Sequence, residues 1–239
     1  MIDIIASVAL TALAILFPAA LIIAGPLTKA ARRRLGFTLF LWFALVTALA
    51  AAGLFSTMSA GTPAIGVAVV VPIIIGIIVF RRSAALKSLV SETPLALLVA
   101  VHAGRLLGVF FLLLYAETRL PPTFALSAGW GDIAVAVAAP LVAWVIHRRA
   151  AGWRTLALTW NTFGFADLVL AVTLGVGSAV DSPVRFIYEA ASSDTMGTLP
   201  WLLVPGFMVP LYLMTHLAIF NRLIRRNANL GNVRLSGAT

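Results

Sequence analysis

The 239-residue chain contains no cysteine, which removes disulfides, thiolate metal sites and cysteine-held iron–sulfur clusters together. It is also short of charge. Asp, Glu, Lys and Arg make up 10% of the residues, where a soluble domain carries about 25%. Lysine is nearly missing: Lys29 and Lys87 are the only two, and both lie between apolar runs. A seven-helix retinal pigment needs a lysine amine in mid-membrane to form its Schiff base, so retinal is excluded as a cofactor. Neither HExxH nor GxSxG occurs, which leaves out the usual signatures of zinc and serine hydrolases. An enzyme acting on lipid or peptide in the membrane is therefore the weakest reading of the chain. No basic residue precedes the first apolar run, and the first charge is Asp3. A cleaved signal peptide wants a positive leader, so this run is expected to remain as a span.

What is present is apolar surface. Hydrophobic residues form 62% of the chain, more than a soluble fold of this size can bury, so lipid is the expected solvent. A membrane-crossing helix needs ~20 apolar residues. Seven runs approach that length: Ile4 to Gly25, Leu35 to Phe55, Ala64 to Phe80, Leu95 to Tyr115, Trp130 to Ile146, Thr155 to Gly177 and Leu199 to Phe220. Pro72, Pro140, Pro205 and Pro210 fall inside the third, fifth and seventh runs, where kinks are expected because each proline frees a carbonyl. The expected fold is all-α: a polytopic integral membrane protein with one seven-transmembrane-helix bundle over residues 1–226 and a short polar tail over 227–239.

The formal net charge of +9 is distributed as a topology signal, not as a nucleic-acid surface. Lys29 and Arg32 to Arg34 follow the first run. Arg81, Arg82 and Lys87 follow the third, Arg148, Arg149 and Arg154 the fifth, and Arg222, Arg225, Arg226 and Arg234 the seventh. The opposite side carries Glu117, Asp181, Glu189 and Asp194 against Arg119 and Arg185. Positive-inside reasoning puts the N-terminus outside and the C-terminus in the cytoplasm. Arginine far exceeds lysine, which with the missing leader points to a bacterial cytoplasmic (inner) membrane.

Two connections on the acidic side are longer than the rest. Thr118 to Gly129, with Pro121-Pro122, is expected to fold back on the bundle. In Ser178 to Thr198, Ser182-Pro183 looks like a helix start. Val184, Ile187, Tyr188 and Ala191 then follow at helical spacing, which predicts a short amphipathic helix on the outer surface, or a lid over an outer cavity. Trp42, Trp130, Trp144, Trp153 and Trp201 are read as interfacial anchors, and Trp160 as packing on interior polar groups. Gly129-Trp-Gly-Asp132 is echoed by Gly164-Phe-Ala-Asp167, too briefly to establish a repeat.

The chemistry sits in the fourth run, which carries His102 and Arg105 where hydrocarbon is expected. An ionisable group at that depth costs ~2.5–3.5 kcal/mol and needs an interior partner or a wet cavity. Helix rise puts His102 ~10 Å and Arg105 ~15 Å from the basic end. The same arithmetic puts Asn161 and His216 level with His102, and Asp167 close to Arg105. The expected ligand- or proton-binding cluster is therefore His102, Arg105, Asn161, Asp167, Tyr212 and His216, with Arg105 paired to Asp167 where the fourth and sixth helices touch. The stripe Ala157, Asn161, Gly164, Asp167 and the pair Gly104 and Gly108 let backbones approach there. Asp132 is placed near water at a helix end, and His147 in the solvated interface.

Three functions of different class follow. The first is binding or transport of a small ligand or protons through this cluster. The second is a b-type haem protein with His102 and His216 as axial ligands. The third is an accessory or scaffold subunit of a membrane complex, in which the ion pair only fixes helix register. The expected partners are the lipid bilayer, a small-molecule ligand and, on the third reading, other subunits of a homo- or hetero-oligomer.

Overall fold

The computed structural model describes the backbone of residues 1–236 and the side chains of residues 1–224. Among the described residues there is no strand. Seven helices are long and apolar enough to cross a membrane: Ile2–Ala24, Lys29–Ala51, Gly61–Arg82, Leu95–Ala116, Pro122–Arg148, Trp153–Ser178 and Val204–Ile224. They are called the first to seventh spans below. One short helix, Ala84–Glu92, lies between the third and fourth. The last helix is assigned on to Ser236. The side chains of Arg225, Arg226 and Arg234 lie outside the described set, as does the backbone from residue 237.

The spans do not share burial evenly. The fifth span is central and packs on the fourth along its length and on the sixth. The seventh packs on the sixth and the third. Of the most apolar stretch of the seventh span 61% is buried, against 6% for the second and the third. The core thus lies among the first, fourth, fifth, sixth and seventh spans, and the second and third stand at its side.

Winding changes twice. Within the fourth span, Val101–Gly108 is a 3-10 helix. With three residues per turn, side chains three apart eclipse one another, so His102, Arg105 and Gly108 form one buried row. In the seventh span, Val204–Met208 is a π turn that includes Pro205. Pro72 and Pro140 sit inside helices assigned without interruption, and so does Pro18 of the first span.

The longer connections differ from expectation. The fold-back loop expected up to Gly129 ends early, because the fifth span starts at Pro122. Proline at the first helical position has its φ already set and lacks an N–H that would go unbonded there. Glu189 completes the start, accepting from Thr123 N at 3.1 Å and Thr123 Oγ1 at 2.5 Å. The amphipathic helix expected after Ser182 does not form. Phe186 N and Ile187 N both donate to Gly177 O at 2.9 Å, which ties this segment to the end of the sixth span. Ile187 is buried while Val184 and Tyr188 are exposed, so no common apolar face exists. Glu189 and Asp181 cap other elements instead, while Asp194 ties the connection to itself. Asp181 accepts from Thr62 N at 2.8 Å and Thr62 Oγ1 at 2.5 Å, at the start of the third span. Asp194 accepts from Val180 N at 3.0 Å.

A second tie closes the same end of the bundle. Arg119 holds Asp3 through two hydrogen bonds of 2.9 and 3.0 Å, and Trp201 Nε1 donates to Asp3 at 2.8 Å. Trp201 is therefore a buried structural residue and not a lipid anchor. Trp42 is not at an end either: it lies mid-helix, its ring 4.7 Å from that of Phe207. Trp130 and Trp144 are exposed on the outside of the bundle.

Candidate functional site

The row on the fourth span meets three other spans. Arg105, 3% exposed, directs its guanidinium at four acceptors. Nε donates to Asp132 Oδ1 at 2.7 Å, on the fifth span. Nη2 donates to Asp167 Oδ2 on the sixth. Nη1 donates to Gly164 O at 2.9 Å and lies 3.4 Å from His216 Nε2 on the seventh. The pairing of Arg105 with Asp167 is as expected. The fourth and sixth spans, however, meet through this side chain, while each packs its backbone mainly on the fifth.

Asp132 is the residue that sequence reasoning misplaced. With the fifth helix beginning at Pro122 and not near Trp130, Asp132 lies ten residues in, or ~15 Å deep. That is the depth of Arg105. The echo between Gly129-Trp-Gly-Asp132 and Gly164-Phe-Ala-Asp167 thus delivers its two acids to one guanidinium. The Pro121-Pro122-Thr123 start was the signal that would have found it.

Glycines make room for each polar group. A Cβ on Gly131 would run into the Asp167 carboxylate, and one on Gly108 into Asp132. A Cβ on Gly104 would sit 2.6 Å from Tyr212 OH, and one on Gly164 2.8 Å from His216 Cε1. The Gly104–Gly108 pair therefore accommodates side chains of the site as well as a close helix contact.

The histidine layer is ordered by hydrogen-bond logic. Arginine can only donate, so His216 Nε2 is the acceptor facing Arg105, and Nδ1 carries the hydrogen. Nδ1 then donates to Asn161 Oδ1 at 2.8 Å, and Asn161 Nδ2 donates to the His216 carbonyl at 3.2 Å. His102 lies against His216 at 4.2 Å between ring centroids, the rings tilted by 50°, with Trp160 edge-on at 5.2 Å and Tyr212 at 5.1 Å. Thr215, which sequence reasoning did not single out, donates to backbone carbonyls at 2.8 and 3.1 Å and so accepts from His102 Nε2 at 3.2 Å. Two buried polar atoms of this layer, His102 Nδ1 and Tyr212 OH, have no protein partner. His147 is exposed, away from the cluster.

The two imidazoles do not fit axial ligation of haem. An iron held from both sides needs the rings apart, on opposite faces of the porphyrin. Here they touch each other, and both nitrogens of His216 are committed. Among the described residues no group of three His, Cys, Asp or Glu side chains is placed to hold a metal ion.

One small cavity, about 80 Å³, reaches the cluster from the end that carries the long connection. Thr62, Asp181, Ser193 and Asp194 line its outer part, and Asp132 its inner part. The Ser178 to Thr198 connection covers this hollow.

A family model described as Domain of unknown function (DUF8737) matches residues 62–224. The chain belongs to this family. The match runs from the start of the third span to the end of the seventh, so every residue of the cluster lies inside it, while the first two spans lie outside. No curated protein and no solved structure matches the chain.

Proposed function

We propose that this DUF8737 member is a multi-pass membrane protein that binds and moves protons, or the polar group of a small ligand, through the Arg105 cluster. The observation that carries this reading is the two-to-one ratio of carboxylates to guanidinium. One arginine faces Asp132 and Asp167 inside the bundle, Asp167 buried and Asp132 at the inner end of the hollow. With both acids ionised the cluster holds one uncompensated negative charge, which low-dielectric surroundings penalise by several kcal/mol. A single exchangeable proton shared by the acids removes that charge. The small hollow, mostly apolar in its wall but with Asp181 and Asp194 at its outer end and Asp132 at its inner end, is the way in from one side on this reading. His216, His102 and Thr215 continue the polar chain towards the other side. The unpartnered His102 Nδ1 and Tyr212 OH are where a water or a ligand hydroxyl would bind, since buried polar groups need partners.

The basic clusters orient the protein in this reading, with the N-terminus outside, the C-terminus in the cytoplasm and the hollow opening outward, in a bacterial cytoplasmic membrane. The competing reading is a structural clamp in an accessory subunit, favoured by the near-complete pairing of Arg105. Proteoliposomes with a pH-sensitive dye inside separate the two. Proton entry under an imposed potential should exceed that of empty vesicles and fall to their level in Asp132→Asn and Asp167→Asn. Entry equal in empty vesicles, wild type and variants would leave only the clamp.

A further inference from the structure

The second and third spans do not close on each other. Between them, with the first and seventh spans behind, lies a cavity of about 990 Å³. Its walls are apolar, with Trp42, Leu45, Val71 and Ile75 among them. It runs from Pro63 to Phe80 along the third span, a distance of ~26 Å by helix rise and so most of the thickness of a bilayer core.

The basic end differs in character. Leu35, Phe80, Leu89 and Thr93 line it, and Arg34, Arg81, Arg82 and Lys87 stand exposed beside them. Among the described residues none of these four forms an ion pair. One polar atom of the cavity wall here is buried without a partner, Thr93 Oγ1. Arg32, at the same end but not on the wall, has a buried Nε without a partner and donates from Nη2 to Ile23 O at 3.2 Å.

We infer that this cavity is a binding site for one anionic phospholipid, with an acyl chain between the second and third spans and the phosphate at the Thr93 and Arg32 end. The volume of about 990 Å³ falls at the upper end of small-ligand sites, which run to ~1,000 Å³. Charge selects the headgroup: of the eight acids in the chain, Glu92 alone lies at this end. A site made this way prefers phosphatidylglycerol to phosphatidylcholine, because each nearby arginine or lysine strengthens an anionic headgroup about fivefold.

Native mass spectrometry of the full chain, delipidated in mild detergent and titrated with each lipid, tests this. Wild type should retain one phosphatidylglycerol under conditions that strip phosphatidylcholine. Ala68→Trp and Thr38→Trp, which fill the cavity from opposite walls, should each lose the adduct while eluting as monodisperse protein. Arg32→Gln with Thr93→Val should keep lipid binding but reduce the preference about fivefold. Asp132→Asn should keep the adduct, which makes this site independent of the proton reading. Equal retention of both lipids by wild type would overturn the inference. So would an adduct that survives in both tryptophan variants, which marks lipid of the ordinary annulus, or a lipid-free dimer in place of the adduct.

Discussion

Arg105 is tolerable in an apolar bundle interior because four acceptors from three spans converge on it, and the same convergence makes each partner expensive to remove alone. Arg105→Met leaves two buried carboxylates facing nothing. It should cost ~3–5 kcal/mol, the range for breaking a buried pair from one side, read as a lower midpoint of unfolding in detergent. The triple change Arg105→Met, Asp132→Asn, Asp167→Asn removes every formal charge and should recover most of that loss. Recovery in Arg105→Met with Asp167→Asn alone should be smaller, since Asp132 is then left without its cation. Gly131→Ala tests the packing half of the argument. Its methyl group would occupy the position of the Asp167 carboxylate, so a loss of ~1–3 kcal/mol is expected, as for other overpacked interior sites.

At the scale of the helix, ends and winding decide what the interior residues can reach. The third span begins on Gly61, at φ 49°, and the N–H and hydroxyl of Thr62 in its first turn are held by Asp181 from 119 residues away. Asp181→Ala should lower stability by ~0.5–2 kcal/mol, the usual value of a lost helix cap, seen as a fall in the thermal midpoint. Asp181→Asn should lose less. The spans themselves were legible in the sequence, because ~20 apolar residues between polar clusters admit few other readings. The meeting of Arg105 with Asp167 was legible too, since depth follows from helix rise. Asp132 was not, because its depth depends on a helix start placed eight residues late. The 3-10 row from His102 to Gly108 has no local code: tertiary contacts select that winding. The Ser178 to Thr198 connection misled because its acids and amides are used by other elements, which no window along the chain reveals.

For the whole molecule, an ordered core of five spans carries a pair of peripheral ones, and the boundary between the two groups holds the long apolar cavity. The family match follows a related division, covering the third to seventh spans and leaving out the first two. Orientation rests on charge alone and is open to a clean test, because the chain has no cysteine of its own. Ser192→Cys in intact cells should react with an impermeant maleimide, and Ala150→Cys should react only after the membrane is opened. The reverse pattern would invert the bundle and place the hollow above Asp132 on the cytoplasmic side.

On the proposed function, Asp132 and Asp167 share one proton beside Arg105 inside the bundle. Infrared spectroscopy of the reconstituted protein reads it directly, through the carbonyl stretch that only a protonated carboxyl group gives. Wild type at neutral pH should show one such band, sensitive to deuterium exchange and lost in both Asp132→Asn and Asp167→Asn. A spectrum with no protonated carboxyl band at neutral pH, or a band that persists in both variants, would contradict the account.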